Sequence, residues 1–145
     1  MSEIDDFLTP AEEEEIVNAI LAAEKDTTGE IRVHLESKHA LNHVNRAKRL
    51  FHQLKMDNTQ ERNGVLIYVA IRDHKFVILG DKGIDEVVPD DFWDSTRDVI
   101  QDHFRHHRFK QGIVEGIQNA GRELKAHFPW HTGDTNELSD EISKS

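Results

Sequence analysis

Seven consecutive residues, Val65-Leu66-Ile67-Tyr68-Val69-Ala70-Ile71, carry no charge and show no alternation of apolar with polar side chains. A run this short is far from the length a membrane helix needs. A strand that is apolar on both faces must lie inside a sheet with packing above and below it. The chain therefore has to supply covering elements for two faces of one central strand. Asn63-Gly64 leads into the run, and Arg72-Asp73-His74-Lys75 turns it into Phe76-Val77-Ile78-Leu79, which reads as an antiparallel hairpin partner.

The covering elements follow from periodicity. Thr9-Pro10-Ala11-Glu12 has the form of a capping box with proline at the first helical position, and Ile16, Val17, Ile20 and Leu21 give the buried stripe behind it. Gly29 precedes a strand in which Ile31, Val33 and Leu35 alternate with Arg32, His34 and Glu36, so one covered face near a sheet edge is expected. Val44, Ala47, Leu50, Phe51 and Leu54 mark a second helix. Phe92, Thr96, Val99, Ile100 and Phe104 mark a third, and Phe109, Ile113, Gly116, Ile117, Ala120 and Leu124 a fourth. The order α-β-α-β-β-α-α predicts an α/β fold, an αβα sandwich whose small mixed sheet has helices on both faces. Residues 1–8 read as an arm, 9–128 as one domain, and 129–145 as a flexible acidic tail without an apolar period.

The chemistry-bearing stretch lies where the hairpin ends. Residues 81–91 hold Asp81, Asp85, Glu86, Asp90 and Asp91, five carboxylates in eleven residues, beside Gly80 and Gly83. Crowded carboxylates repel one another unless protons or a cation neutralise them, and oxygen ligands on a loop suit a hard divalent ion. The regular spacing of an EF-hand is missing. Strand directions add a neighbour: the end of the third strand, the start of the first at Glu30, and Asn63 share one rim. Glu30, Asp81, Asp85, Asp90 and Asp91 are thus the candidate metal ligands, against the plainer reading of a helix start with solvated acids.

Four segments in this order and spacing carry a family resemblance: Thr28-Gly29-Glu30-Ile31-Arg32-Val33, Asn63-Gly64-Val65-Leu66-Ile67-Tyr68-Val69-Ala70, Gly83-Ile84-Asp85 with Val87-Val88-Pro89-Asp90, and Phe104-Arg105 followed by Phe109 and Gly112-Ile113. The sequence resembles the TPM domain family over roughly residues 7 to 128. That resemblance implies an αβα sandwich with an acidic cleft, calcium binding as in some members, and an acid phosphatase activity as in a plant member. By position, Asp85 stands where the family usually has glutamate and Asp90 at its usual aspartate. Two positions depart: Arg62 replaces an acidic residue before Asn-Gly, and His107 replaces a glycine three residues after Phe104.

Composition narrows the rest. A formal net charge of −10 argues against a general nucleic-acid surface and for cations or basic partners. Without cysteine there is no disulfide, thiolate metal site or Cys-x5-Arg phosphatase loop, and no Gly-x4-Gly-Lys-Ser loop is present. No apolar leader follows Met1, so a soluble cytoplasmic protein without membrane insertion is expected. His103 and His107 stand four apart, as zinc ligands can, but Arg105, Arg108 and Lys110 surround them and favour a helix C-terminus reading. The expected function is a calcium-binding (or magnesium-binding) accessory or interaction module with an unidentified protein partner. The alternative is a metal-assisted acid phosphatase in the same cleft.

Overall fold

The structure, a computed structural model, describes residues 6–130 and 141–145. Thr9 opens helix α1 (Pro10–Glu24) with both bonds of the capping box: Glu12 N–H donates to Thr9 Oγ1 at 3.1 Å, and Thr9 N–H donates to Glu12 Oε1 at 3.0 Å. There follow β1 (Glu30–Glu36), α2 (His43–Gln53), β2 (Gly64–Ala70), β3 (Lys75–Gly80), a single turn α3 (Lys82–Asp85), α4 (Phe92–Arg105), α5 (Phe109–His127) and β4 (Ser143–Lys144). The sheet order is β3-β2-β1-β4. β1 runs parallel to both β2 and β4, and β3 is antiparallel to β2.

Every residue of β2 is buried, as its unbroken apolar run requires. On one face Val65, Ile67 and Val69 join Ile31, Val33 and Leu35 in a core closed by Ile16 and Ile20 of α1, Ile100 and Phe104 of α4, and Ile113 and Ile117 of α5. On the other face Leu66, Tyr68 and Ala70 meet Ala47 and Leu50 of α2, with Met56. Helices thus cover both faces, three on one side and one on the other. Fully burying each of these aliphatic side chains contributes about 1.5–3 kcal/mol, so β2 is the element that ties the two layers together. No helix among the described residues is long and apolar enough to cross a membrane.

The structure differs from the sequence reading in three places. First, the polar face of β1 is not solvated: Glu30, His34 and Glu36 are buried. Glu36 accepts from Arg46 Nε at 2.9 Å on both carboxylate oxygens, and the His34 ring stacks on Tyr68 at 6.2 Å. Second, residues 142–145, within the stretch read as a tail, are held against β1 and the core. Ser143 and Lys144 pair with His34 and Leu35, Ser145 N–H donates to Leu35 O at 3.0 Å, and Ser37 N–H donates to Ser145 O at 2.9 Å. Ile142 packs against the main core. Two residues held by backbone bonds carry no apolar period, so the sequence pattern has nothing there to register. Residues 131–140 lie outside the described residues. Third, α4 ends at Arg105, and His107 has φ 57°, which takes it off the helix. His103 instead contacts Glu115 and accepts from Arg108 Nε at 2.9 Å, so the i, i+4 histidine pair does not form.

Candidate functional site

The rim is built from the N-terminal ends of β1 and β2 and the C-terminal end of β3. Asp81 caps α3: its Oδ1 accepts from Lys82 N–H at 2.8 Å, and its carbonyl accepts from Asp85 N–H at 3.0 Å. The same carboxylate, 8 % exposed, accepts from Arg62 Nε at 3.0 Å. Arg62 is therefore more than a charge swap, because it neutralises part of the acidic loop from the neighbouring turn. That turn is held against α3 by Gly83, whose N–H donates to Arg62 O at 2.7 Å. A Cβ at Gly83 would lie 2.1 Å from Glu61 O and 2.6 Å from Arg62 O, so only glycine permits this approach.

Behind the turn, buried Asn63 donates through Nδ2 to Thr28 Oγ1 at 3.0 Å and to Glu61 Oε2 at 3.3 Å, and Thr28 Oγ1 donates to Glu61. Asp85 stands one turn on from Asp81 and accepts from Trp93 Nε1 at 2.8 Å. Partial burial pushes the Asp85 carboxyl above the usual range. The Trp93 bond pulls it down, and the charge of Asp81 adds to the upward push.

The five expected ligands are not all brought together. Asp81 and Asp85 are neighbours. Glu30 pairs in register with Gly64, and Asp81 N–H donates to Gly64 O at 2.9 Å, so the three lie in one row across the sheet. Glu30 and Asp81 are then two strand spacings apart, about 10 Å. The backbone of Met56 fills the gap: a Cβ at Gly64 would sit 2.8 Å from Met56 O. Asp90 and Asp91 are exposed, and Asp91 stands at the N-cap of α4 without a side-chain cap bond. Among the described residues no three His, Asp or Glu side chains form a group able to hold a metal ion.

The rim also contains residues the sequence reading left out. Glu61 and Thr28 join it through Asn63, and Trp93 joins through its indole N–H. Nothing in the spacing of Trp93 announces that bond, which depends on how α4 leaves the loop. Arg62 was visible as a departure, but its partner was not.

A model of the TPM domain matches residues 2–123. The chain belongs to the TPM domain family. Among solved structures, the TPM domain described here is similar to the NMR structure of the BA42 protein from the psychrophilic bacterium Bizionia argentinensis, with 56% identity, both chains covered over 100%, and a TM-score of 0.89. It also shares its fold with the N-terminal domain of a protein from P. gingivalis, at 21% identity and TM-score 0.67, covering 86% of this chain and 83% of that one. The N-terminal domain of the cg2496 protein from Corynebacterium glutamicum is a third, at 10% identity and TM-score 0.63, covering 95% and 80%. No curated protein matches the chain. The left-handed backbone at His107 gives a physical reason for the glycine that the family resemblance implies there, since φ 57° favours glycine over any side chain.

Proposed function

We propose that this TPM domain is a divalent-cation-binding accessory or interaction module, with the ion, calcium first and magnesium second, held at the Asp81–Asp85 rim. The observation that carries the reading is Asp85. It stands exposed one turn on from Asp81, whose carbonyl accepts its N–H, so two carboxylates lie side by side on the rim and repel each other. A bound cation would remove that repulsion without a proton. Calcium accepts six to eight oxygens and takes water readily, so two carboxylates with water completing the shell make a site of low affinity. Arg62 competes for Asp81 and weakens it further. In this reading Asp90 and Asp91 would join only through movement of their loop, and Met56 keeps Glu30 apart.

Calorimetric titration of calcium into metal-free protein tests this against Asp85→Asn. The parent should bind with a dissociation constant on the order of 10⁻⁴–10⁻³ M, and the variant should lose about tenfold or more in affinity, equivalent to roughly 1.4 kcal/mol. Equal binding by both proteins, or no binding by the parent, would reject the site. Metal-dependent turnover of a phosphomonoester that Asp85→Asn abolishes would promote the phosphatase alternative.

A further inference from the structure

A second charged feature lies at the opposite end of the sheet. Residues 37–56 contain Lys38, His39, His43, Arg46, Lys48, Arg49, His52 and Lys55 and no Asp or Glu, in a chain whose net charge is −10. The loop before α2 and the first turns of α2 enclose an open bowl of about 850 Å³, lined by Lys38, His39, Asn42, Arg46, Lys48 and Arg49 with Glu36 among them. The acids that face this segment are engaged. Glu36 is bound through both oxygens to Arg46 Nε, and Asp73 is shared by His43 at 2.9 Å and His39 at 3.5 Å.

Among the described residues Lys38, Lys48 and Arg49 make no ion pair, and the terminal nitrogens of Arg46 make no hydrogen bond. Arg46 is thus oriented by a buried carboxylate while keeping the donors that grip an oxyanion. The bowl lies toward the C-terminal ends of the parallel strands β1 and β2, where open α/β sheets take ligands. A seven-residue strand, about 20 Å, separates those ends from the acidic rim.

We propose that this bowl binds a compact multivalent phosphate anion, a polyphosphate or phosphate-rich group. Several convergent cations in a concave surface focus the field and suit a ligand with more than one negative charge. The acidic remainder of the surface repels an extended polyanion, which disfavours nucleic acid. The phosphate source is a soluble molecule or a lipid headgroup. Leu41, fully exposed, and Val44, 46% exposed, stand beside the cations where a headgroup's acyl chains would lie.

Inorganic tripolyphosphate titrated into the metal-free full chain, followed by amide NMR, is the test. Shifts should centre on residues 38–49. The exposed pair Lys48→Ala/Arg49→Ala should weaken binding about tenfold while leaving the melting temperature within about 2 °C. No shift in 38–49, or an unchanged affinity in the double variant, overturns the proposal. Phosphatidylcholine vesicles with and without a phosphatidylinositol bisphosphate, whose headgroup carries several phosphates, separate the sources. Co-sedimentation lost in Leu41→Ser, with tripolyphosphate binding intact, supports a headgroup, and no co-sedimentation with tripolyphosphate bound supports a soluble phosphate. Vesicle binding without tripolyphosphate binding, or duplex DNA binding as tightly as tripolyphosphate, overturns the compact-anion assignment.

Discussion

Replacing Gly83 by alanine should detach the acidic loop from the sheet. The added methyl would sit 2.1 Å from Glu61 O and 2.6 Å from Arg62 O, both backbone atoms that cannot rotate away. Relief requires α3 to move by about 1 Å or more to reach ordinary van der Waals separation. That movement breaks the 2.7 Å bond from Gly83 N–H to Arg62 O, a loss of about 1 kcal/mol. It also lifts Ile84, which is fully buried, from a site where full burial contributes about 1.5–3 kcal/mol. Alanine recovers about 1 kcal/mol of helix propensity. The net loss is about 1.5–3 kcal/mol, or a fall in melting temperature of about 5–12 °C for a domain of this size. Gly116→Ala is the informative comparison, because its Cβ would meet Ile100 Cδ1 at 2.7 Å, the far end of a side chain that can shift. Its melting temperature should fall by less than half as much. Calorimetric melts of the three proteins decide the matter. A Gly83→Ala protein that melts within 2 °C of the parent would refute the clamp.

Three further outcomes follow from other parts of the molecule. Deleting residues 141–145 removes Ile142 and the β4 bonds and uncovers His34; it should lower the melting temperature by about 4–8 °C, whereas a change below 2 °C would show that the strand contributes nothing. His34 is pushed down to about 4, chiefly by burial, with Glu36 opposing and Arg46 and Arg32 assisting. Its contribution to stability is therefore complete above pH 6.5 and is lost as pH falls toward 4, by up to a few kcal/mol; melts of His34→Gln should lose less stability than the parent between pH 7 and 4.5, and parallel curves would contradict this. Arg62→Gln frees Asp81 from its ion pair, so calorimetry should show tighter calcium binding by about threefold to tenfold, and weaker binding would mean that the pair organises the site.

The main layers were legible because they rest on burial. Val65 to Ile71 could only be central, and the stripes ending at Phe104 and Leu124 have the helical period that packs on one face. The capping box at Thr9 was equally readable, since both of its bonds are local in sequence. The polar core under α2 was not, because alternation in β1 says that Arg32, His34 and Glu36 face away from the apolar core, not that Arg46 and Tyr68 wait there. The return of Ser143 to the edge of β1 depends on backbone bonds, to which sequence periodicity is blind. At the rim, strand directions placed Asp81, Asn63 and Glu30 at one end correctly. They could not reveal that Met56 stands over Gly64, because that contact depends on the path of the chain after α2.

Calcium titration followed by NMR of the metal-free protein reports on the central claim at the atoms concerned. The Trp93 indole N–H, bonded to Asp85 at 2.8 Å, and the amides of residues 80–91 should move together and saturate in the millimolar range. A response absent up to about 10 mM, ten times the weakest affinity expected, or centred away from the rim on the glutamates of α1, would contradict the assignment of a cation site to Asp81 and Asp85.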